Sequence, residues 1–225
     1  LARWKSISLD SKYDKTPNYA HRIVPEKEVP REVSERLNPD RMPQIVAAKR
    51  LLDDPSPWED PRIHGIVRGF AEDNALRFFN APAATSKHHS WRGGLLVHTA
   101  EVAANCMGIL QSPMNAPYRG RINGDALLLA AWLHDAGKMD VYRMEGENPA
   151  ADWDTESMVG HTSVSNLTFA DLARENGLEQ GLQRLVSHCI LSHHERREWG
   201  AVVEPQTIEA HILCRADFIS SRMPG

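Results

Sequence analysis

No run of apolar residues in the 225-residue chain approaches the length of about 18 that a membrane-spanning helix requires, so a soluble, cytoplasmic protein is expected. No basic segment followed by an apolar stretch opens the chain, so no secretory leader is expected. The chain begins at Leu1 rather than Met, which leaves an upstream segment open. Cysteine is scarce: Cys106, Cys189 and Cys214 are odd in number and never in a C-x-x-C spacing. They read as buried free thiols in a reducing compartment rather than as a disulfide framework. An excess of basic residues is also missing, with 26 Lys and Arg against 30 Asp and Glu and a net charge of −4. That excludes a protein that coats long nucleic acid through a broad basic face, but not a small site made positive by bound metal. Alternating strand patterns are scarce, and internal repeats and low-complexity tracts are absent.

What is present is globular composition, 41% hydrophobic and 25% charged, in a chain long enough to bury a core without staples. Eight of the 14 prolines lie between Pro17 and Pro61. Each proline removes a donor and restricts its predecessor, so residues 1–60 read as an extended arm with short helical or strand pieces. From Pro61 to the end, residues 61–225, the pattern turns helical. Ile66, Phe70, Phe78 and Phe79 mark a helix that ends before Pro82. Gly93 and Gly94 precede a helix from Leu95 to Leu110, with Leu95, His98, Val102 and Ile109 on one stripe. Asp125 is a candidate N-cap for Ala126–Asp135, which is apolar nearly all round and therefore central. Gly137 is expected to end it. Further helices are expected over Val159–Asn176, around Leu182, Leu185, Val186, Cys189 and His193, and over Thr207–Ser220. The fold class expected is all-α.

Histidine is the unusual residue. There are 11, and nine of them fall between His88 and His211. His134-Asp135 closes the most apolar helix, and two adjacent side chains can converge on one point only where a helix ends and the backbone is free to turn. Alone the dipeptide would equally suit a capping Asp beside a core His. His98 shares a stripe with Leu95 and Val102, and His161 shares one with Val164, Thr168 and Leu172. His193 lies four residues beyond Cys189, with His194 next to it. Asp217 falls with Ala210, Leu213 and Cys214 on the apolar side of the last helix. A single buried His is ordinarily a hydrogen-bonded core residue, whereas a buried Asp is costly unless paired or ligating. Several helices that each turn an imidazole or carboxylate inward are best reconciled by a shared cation. His21, His64, His188 and His211 have no partner in this pattern and read as structural.

The order His98, His134-Asp135, His161, His193-His194, Asp217 resembles the HD-domain metal-dependent phosphohydrolases, a helical-bundle family. The resemblance implies two divalent transition-metal ions: one held by His98, His134, Asp135 and Asp217, the other by a bridging Asp135 with His161, His193 and His194. Imidazole and carboxylate without thiolate would favour manganese or iron over structural zinc. A bridging hydroxide would then attack a phosphorus ester, and Lys138 would reach the phosphate. A lysine merely favouring a helix C-terminus is the alternative for that residue.

Ala81-Pro82-Ala83-Ala84, Lys87-His88-His89, Gly93-Gly94-Leu95-Leu96-Val97-His98-Thr99, Leu191-Ser192-His193-His194 and Glu198-Trp199-Gly200 resemble more closely the HD domain of YhaM-type 3′–5′ exoribonucleases. The likeness runs from about Leu76 to Asp217. MobH-type relaxases share the His88-His89 and Gly-Gly-Leu-Leu pattern. Residues 1–60 are too short and proline-rich for the nucleic-acid-binding OB domain that YhaM-type proteins carry, and the acidic stretch Glu145–Glu156 looks inserted. The resemblance implies that His88 and His89 contact substrate or fix the Gly93-Gly94 turn. Lys87, Arg92, Arg143, Arg196 and Arg197 are candidate phosphate contacts. Trp91 and Trp199 could stack bases or simply pack. The expected substrate is a nucleotide or a short single-stranded nucleic acid. Hydrolysis of small nucleotides, or a binding role in a conjugation or mobile-element protein, remain as alternatives.

Overall fold

The computed structural model describes residues 35–86 and 88–223. Its helices are α1 (Met42–Asp53), α2 (Pro61–Asp73), α3 (Ala75–Phe78), α4 (Gly94–Gln111), α5 (Gly124–Leu133), α6 (Lys138–Val141), α7 (Trp153–Met158), α8 (His161–Glu175), α9 (Gln180–Ser192) and α10 (Ile208–Ser220). Two short strands, β1 (Tyr142–Glu145) and β2 (Asn148–Ala151), form an antiparallel hairpin between α6 and α7. The all-α expectation holds apart from that hairpin. Among the described residues no helix is long and apolar enough to cross a membrane.

The sequence Ala126-Leu-Leu-Leu-Ala-Ala-Trp-Leu133 has no polar face, and α5 is accordingly the central rod, with every residue from Asp125 to Leu133 buried. A helix without a wet side must be surrounded, and α2, α4, α9 and α10 pack around it. Each fully buried leucine there contributes about 1.5–3 kcal/mol relative to an exposed one. On the outer flank, α1 packs against α4, and α8 against α9. The arm expected over residues 1–60 lies outside the described residues up to residue 34. Its described part holds one of the expected helical pieces: α1 buries Ile45, Val46, Ala48 and Leu52, of which Ile45, Ala48 and Leu52 join the common core. Pro43 sits in the first turn of that helix, where a missing N–H costs nothing. The three cysteines are buried free thiols.

Two further expectations are corrected. The helix through Phe78 is broken at Asn74, whose side-chain amide donates to the Phe70 carbonyl at 3.0 Å, giving α2 and the one-turn α3. Asp125 is not the cap of α5. Asn123 caps it, its side chain accepting from Ala126 N–H at 2.8 Å. Asp125 instead faces backward and accepts the N–H groups of Glu59 and Asp60 at 2.9 and 2.8 Å, fastening the approach to α2 onto the core.

Gly137 was expected to give the chain conformational freedom after α5, but its φ is −62°, open to any residue. Glycine is required there for space. A Cβ would stand 2.3 Å from the His161 carbonyl oxygen and 2.7 Å from the Ser165 nitrogen, because the start of α8 lies against this turn. The Gly137 N–H donates to Ser165 Oγ at 2.8 Å and locks the contact. Gly93 and Gly94 serve both purposes: Gly93 has φ +89°, and a Cβ on Gly94 would be 2.0 Å from the His89 carbonyl oxygen.

Replacing Asp125 by Ala leaves two N–H groups unsatisfied, and urea denaturation should show a loss of about 2–4 kcal/mol. Gly137→Ala should cost about 1–3 kcal/mol through overpacking, with a crystal structure showing α8 displaced from the turn. An unchanged midpoint in either variant would refute the corresponding contact.

Candidate metal centre

The side chains at the centre come mainly from helix ends. His134 is the C-cap of α5 and His161 the first residue of α8. His193 is the C-cap of α9, with His194 just beyond it. His98 lies in α4 and Asp217 in the last turn of α10. Together they surround Asp135, which is 1% exposed.

Asp135 divides its surroundings between its two oxygens. Oδ2 lies 3.3 Å from His98 Nε2, 3.3 Å from His134 Nε2 and 2.7 Å from Lys138 Nζ. Oδ1 lies 3.6 Å from both His161 Nε2 and His193 Nε2. Asp217 Oδ1 closes the first half, 3.1 Å from His98 Nε2 and 3.8 Å from His134 Nε2. His194 closes the second, its Nε2 3.2 Å from that of His161.

The opposite ring nitrogens fix where the protons are. Carbonyl oxygens can only accept, so a neutral imidazole bonded to one carries its proton on that nitrogen. His134 Nδ1 bonds the Ala131 carbonyl at 2.8 Å, His193 Nδ1 that of Ile190 at 2.7 Å, and His194 Nδ1 that of Trp199 at 2.8 Å. His161 Nδ1 bonds the Glu156 carboxylate at 2.8 Å, and His98 Nδ1 bonds Ser220 Oγ at 2.9 Å. The four rings held by carbonyl or carboxylate acceptors therefore turn an Nε2 lone pair toward the centre, and His98 Nε2 faces Asp135 and Asp217. Lone pairs facing a carboxylate in a buried volume repel one another, and His98 Nε2, His134 Nε2 and both Asp135 oxygens have no well-formed hydrogen bond. Such orphaned atoms fit a divalent cation, which accepts lone pairs and cancels carboxylate charge. Asp135 with His161, His193 and His194, and Asp135 with His98 and His134, each have ligand atoms close enough to hold one ion.

The proton affinities agree with that fit. Burial pushes the Asp135 carboxyl upward, but Lys138 and His134 outweigh it and hold the group well below the carboxylate range. Burial likewise opposes ionisation of Asp217, and the bond and charge of His98 overcome it. Burial and the neighbouring imidazoles lower His193 and His194, which keeps both neutral and their lone pairs free. Burial lowers His98 too, yet Asp135 and Asp217 together raise it to about 9. Even beside Lys138, the two carboxylates draw a proton to the place a metal would take.

All seven residues of the expected ligand set converge here, and Lys138, buried rather than solvated, pairs with Asp135. The His88 ring stands 5.3 Å from that of His98, and burial lowers its pKa to about 4. His89 has Nε2 3.3 Å from Glu101 Oε1 and its ring 5.9 Å from that of His98, while its carbonyl accepts from Ala83 N–H and supports the Gly93-Gly94 turn. Lys87 lies outside the described residues. The Arg92 guanidinium is spent on Asn80 Oδ1 at 3.0 Å and the Gly146 carbonyl at 2.8 Å, so it ties the chain to the hairpin turn. Arg143 bonds Glu145 within β1. Trp91 packs on the core under Arg41. Trp199 is 54% exposed, with Arg196 over its ring and its own carbonyl on His194. Three participants were not singled out from sequence: Glu156, Glu101 and Ser220. Glu156 was submerged in an acidic stretch. Glu101 carried one signal, a charge on an otherwise apolar helix one turn past His98.

Residues 95–221 match the HD domain family. The chain is 28% identical over 200 residues to the 3′–5′ exoribonuclease YhaM of Oceanobacillus iheyensis, covering 85% of this chain and 58% of that protein. It is 29% identical over 165 residues to the YhaM of Halalkalibacterium halodurans (73% of this chain, 49% of that one) and 28% identical over 165 residues to that of Bacillus subtilis (73% and 50%). The chain thus spans about half the length of the curated relatives it matches, and no solved structure matches it. With more than half of its residues inside the family match, and His98, His134, His161, His193, His194 and Asp217 of that stretch gathered round Asp135, the chain belongs to the HD-domain family.

Proposed function

We propose that this chain is a metal-dependent phosphohydrolase of the phosphodiesterase or nuclease type, acting on a short single-stranded nucleic acid with two divalent transition-metal ions. The observation that carries the reading is the convergence of five imidazole Nε2 atoms round one buried carboxylate. His98, His134, Asp135 and Asp217 would hold one ion, and Asp135, His161, His193 and His194 the other. The donor set has no thiolate, which favours manganese or iron. Two such ions, when bound, would lower the pKa of a water between them and offset the charge that builds on phosphoryl oxygens.

The chain's own residues supply the remainder. The Lys138 ammonium, already 2.7 Å from Asp135, is the cation nearest to where a substrate phosphate would meet the centre. His88, neutral and half-buried beside His98, borders the same space and can donate a hydrogen bond to a phosphate oxygen. Trp199 offers an exposed ring backed by Arg196 at the rim next to His194, suited to stacking a base. The relatives' name, 3′–5′ exoribonuclease, agrees with a polynucleotide substrate.

The test is a manganese-reconstituted assay across short 5′-labelled RNA, dinucleotides, cyclic nucleotides and mononucleotides. RNA should shorten from its 3′ end faster than any small substrate is cleaved. Faster cleavage of small nucleotides would replace the nuclease reading by the small-substrate one. Two bound ions without hydrolysis of any phosphoester would leave a binding module. Metal analysis of variants tests the ligand sets. Asp135→Ala should lose both ions and about 10³-fold in rate, whereas His161→Ala should chiefly lose one. Equal loss of both ions in the two variants would refute the assignment.

A further inference from the structure

His134 and His193 are oriented by backbone carbonyls, which no side-chain change can remove. His98 is different, because its Nδ1 rests on a hydroxyl, and a hydroxyl can either give or take a proton. Ser220, three residues beyond Asp217 on α10 and wholly buried, has its Oγ 2.9 Å from His98 Nδ1 and 2.7 Å from Glu101 Oε2. Glu101 lies one turn beyond His98 on α4, and its other oxygen, Oε1, is 3.3 Å from His89 Nε2. Burial opposes ionisation of Glu101, but its bonds to His89 and Ser220 hold its pKa below the usual value, so it is a carboxylate and cannot donate.

The proton order follows from donor counting. The single Ser220 proton must go to Glu101 Oε2, since a carboxylate only accepts. Ser220 Oγ then accepts from His98 Nδ1–H, so the neutral ring carries its lone pair on Nε2, facing Asp135 and Asp217. His89 holds Glu101 from the other side. Its own position is strained: φ is +52°, a region a non-glycine residue rarely enters.

We infer that Glu101 and Ser220 are positioning residues, a side-chain relay anchored by His89 that sets His98 as a metal ligand through Nε2. The inference rests on the proposal that His98 holds an ion. It makes the first half of the centre depend on two side chains remote from substrate, whereas His193 and His194 in the second half depend only on backbone. Without Glu101, the hydroxyl is free to donate to His98 Nδ1, which moves the ring proton to Nε2 and removes the ligand. Without Ser220, nothing selects between the two ring nitrogens.

The experiment measures stoichiometry and affinity for manganese by mass spectrometry and chelator competition, on wild type, Ser220→Ala, Glu101→Leu and the neighbouring Ser221→Ala. Wild type and Ser221→Ala should bind two ions alike. Ser220→Ala and Glu101→Leu should bind one ion about 10–100-fold more weakly and the other at wild-type affinity. A general folding defect would not spare one ion of two. Wild-type affinity for both ions in Ser220→Ala and Glu101→Leu would overturn the relay while leaving the centre intact, as would an equal weakening of both ions. Absence of bound metal in the wild type would overturn the proposed centre and the relay with it.

Discussion

Asp135 is a carboxylate removed from water, and the architecture round it answers the cost of that removal. An ionised carboxyl group in a medium of low dielectric is unstable by several kcal/mol unless charge or hydrogen bonds are brought to it. Lys138, at 2.7 Å from Oδ2, and the proton drawn onto His98 bring positive charge. The remaining neighbours are imidazole nitrogens presenting lone pairs, an arrangement that adds repulsion when no cation stands between them. A core built for stability alone would have placed donors at those positions. This one has spent its donors on the far side of each ring.

Helix termini make that possible. The last carbonyls of an α-helix have no partner within it, and His134 and His193 exploit this in the same way: each caps its helix and bonds back to the carbonyl three residues before, Ala131 and Ile190. One bond thus satisfies an orphan acceptor, fixes a tautomer and aims a lone pair. The opposite end of a helix contributes His161, whose backbone N–H and Nδ1 both bond Glu156, at 3.0 and 2.8 Å. Gly137 allows that helix to approach the His134-Asp135 turn within van der Waals distance. The centre therefore lies where helix ends meet, and the apolar length of α5 determines where that is.

Much of this was legible in the chain. The wholly apolar Ala126–Leu133 run announced the central helix, and His98, His161, His193 and Asp217 stood out because each interrupts an apolar stripe. What stayed hidden depended on tertiary distance. Asp125 looked like a cap because it precedes a helix. Its real partners, Glu59 and Asp60, are some 65 residues away, and Asn123 takes the cap. Gly137 looked like a hinge because sequence reports the absence of a side chain and not the carbonyl that needs the space. The α1 segment was obscured by prolines on both sides, although Pro43 lies where a helix tolerates it. Ser220 and Glu101 gave little sign, since a serine at a helix end and a lone glutamate within a helix are ordinary until the geometry joins them.

The same arrangement separates folding from metal binding. The core of α2, α4, α5, α9 and α10 is filled by aliphatic and aromatic side chains. In the absence of an ion, Lys138 and a proton on His98 supply the countercharge that Asp135 and Asp217 require, so no buried carboxylate is left bare. A chain whose only compensation was the metal would unfold without it, as small zinc domains do. Here an ion would displace charges already present, and its net affinity is the difference between what it gains from its ligands and what Lys138 and the His98 proton give up. Tight binding then depends on how well the imidazoles are prearranged, and this explains why every one of the five rings is held at its outer nitrogen.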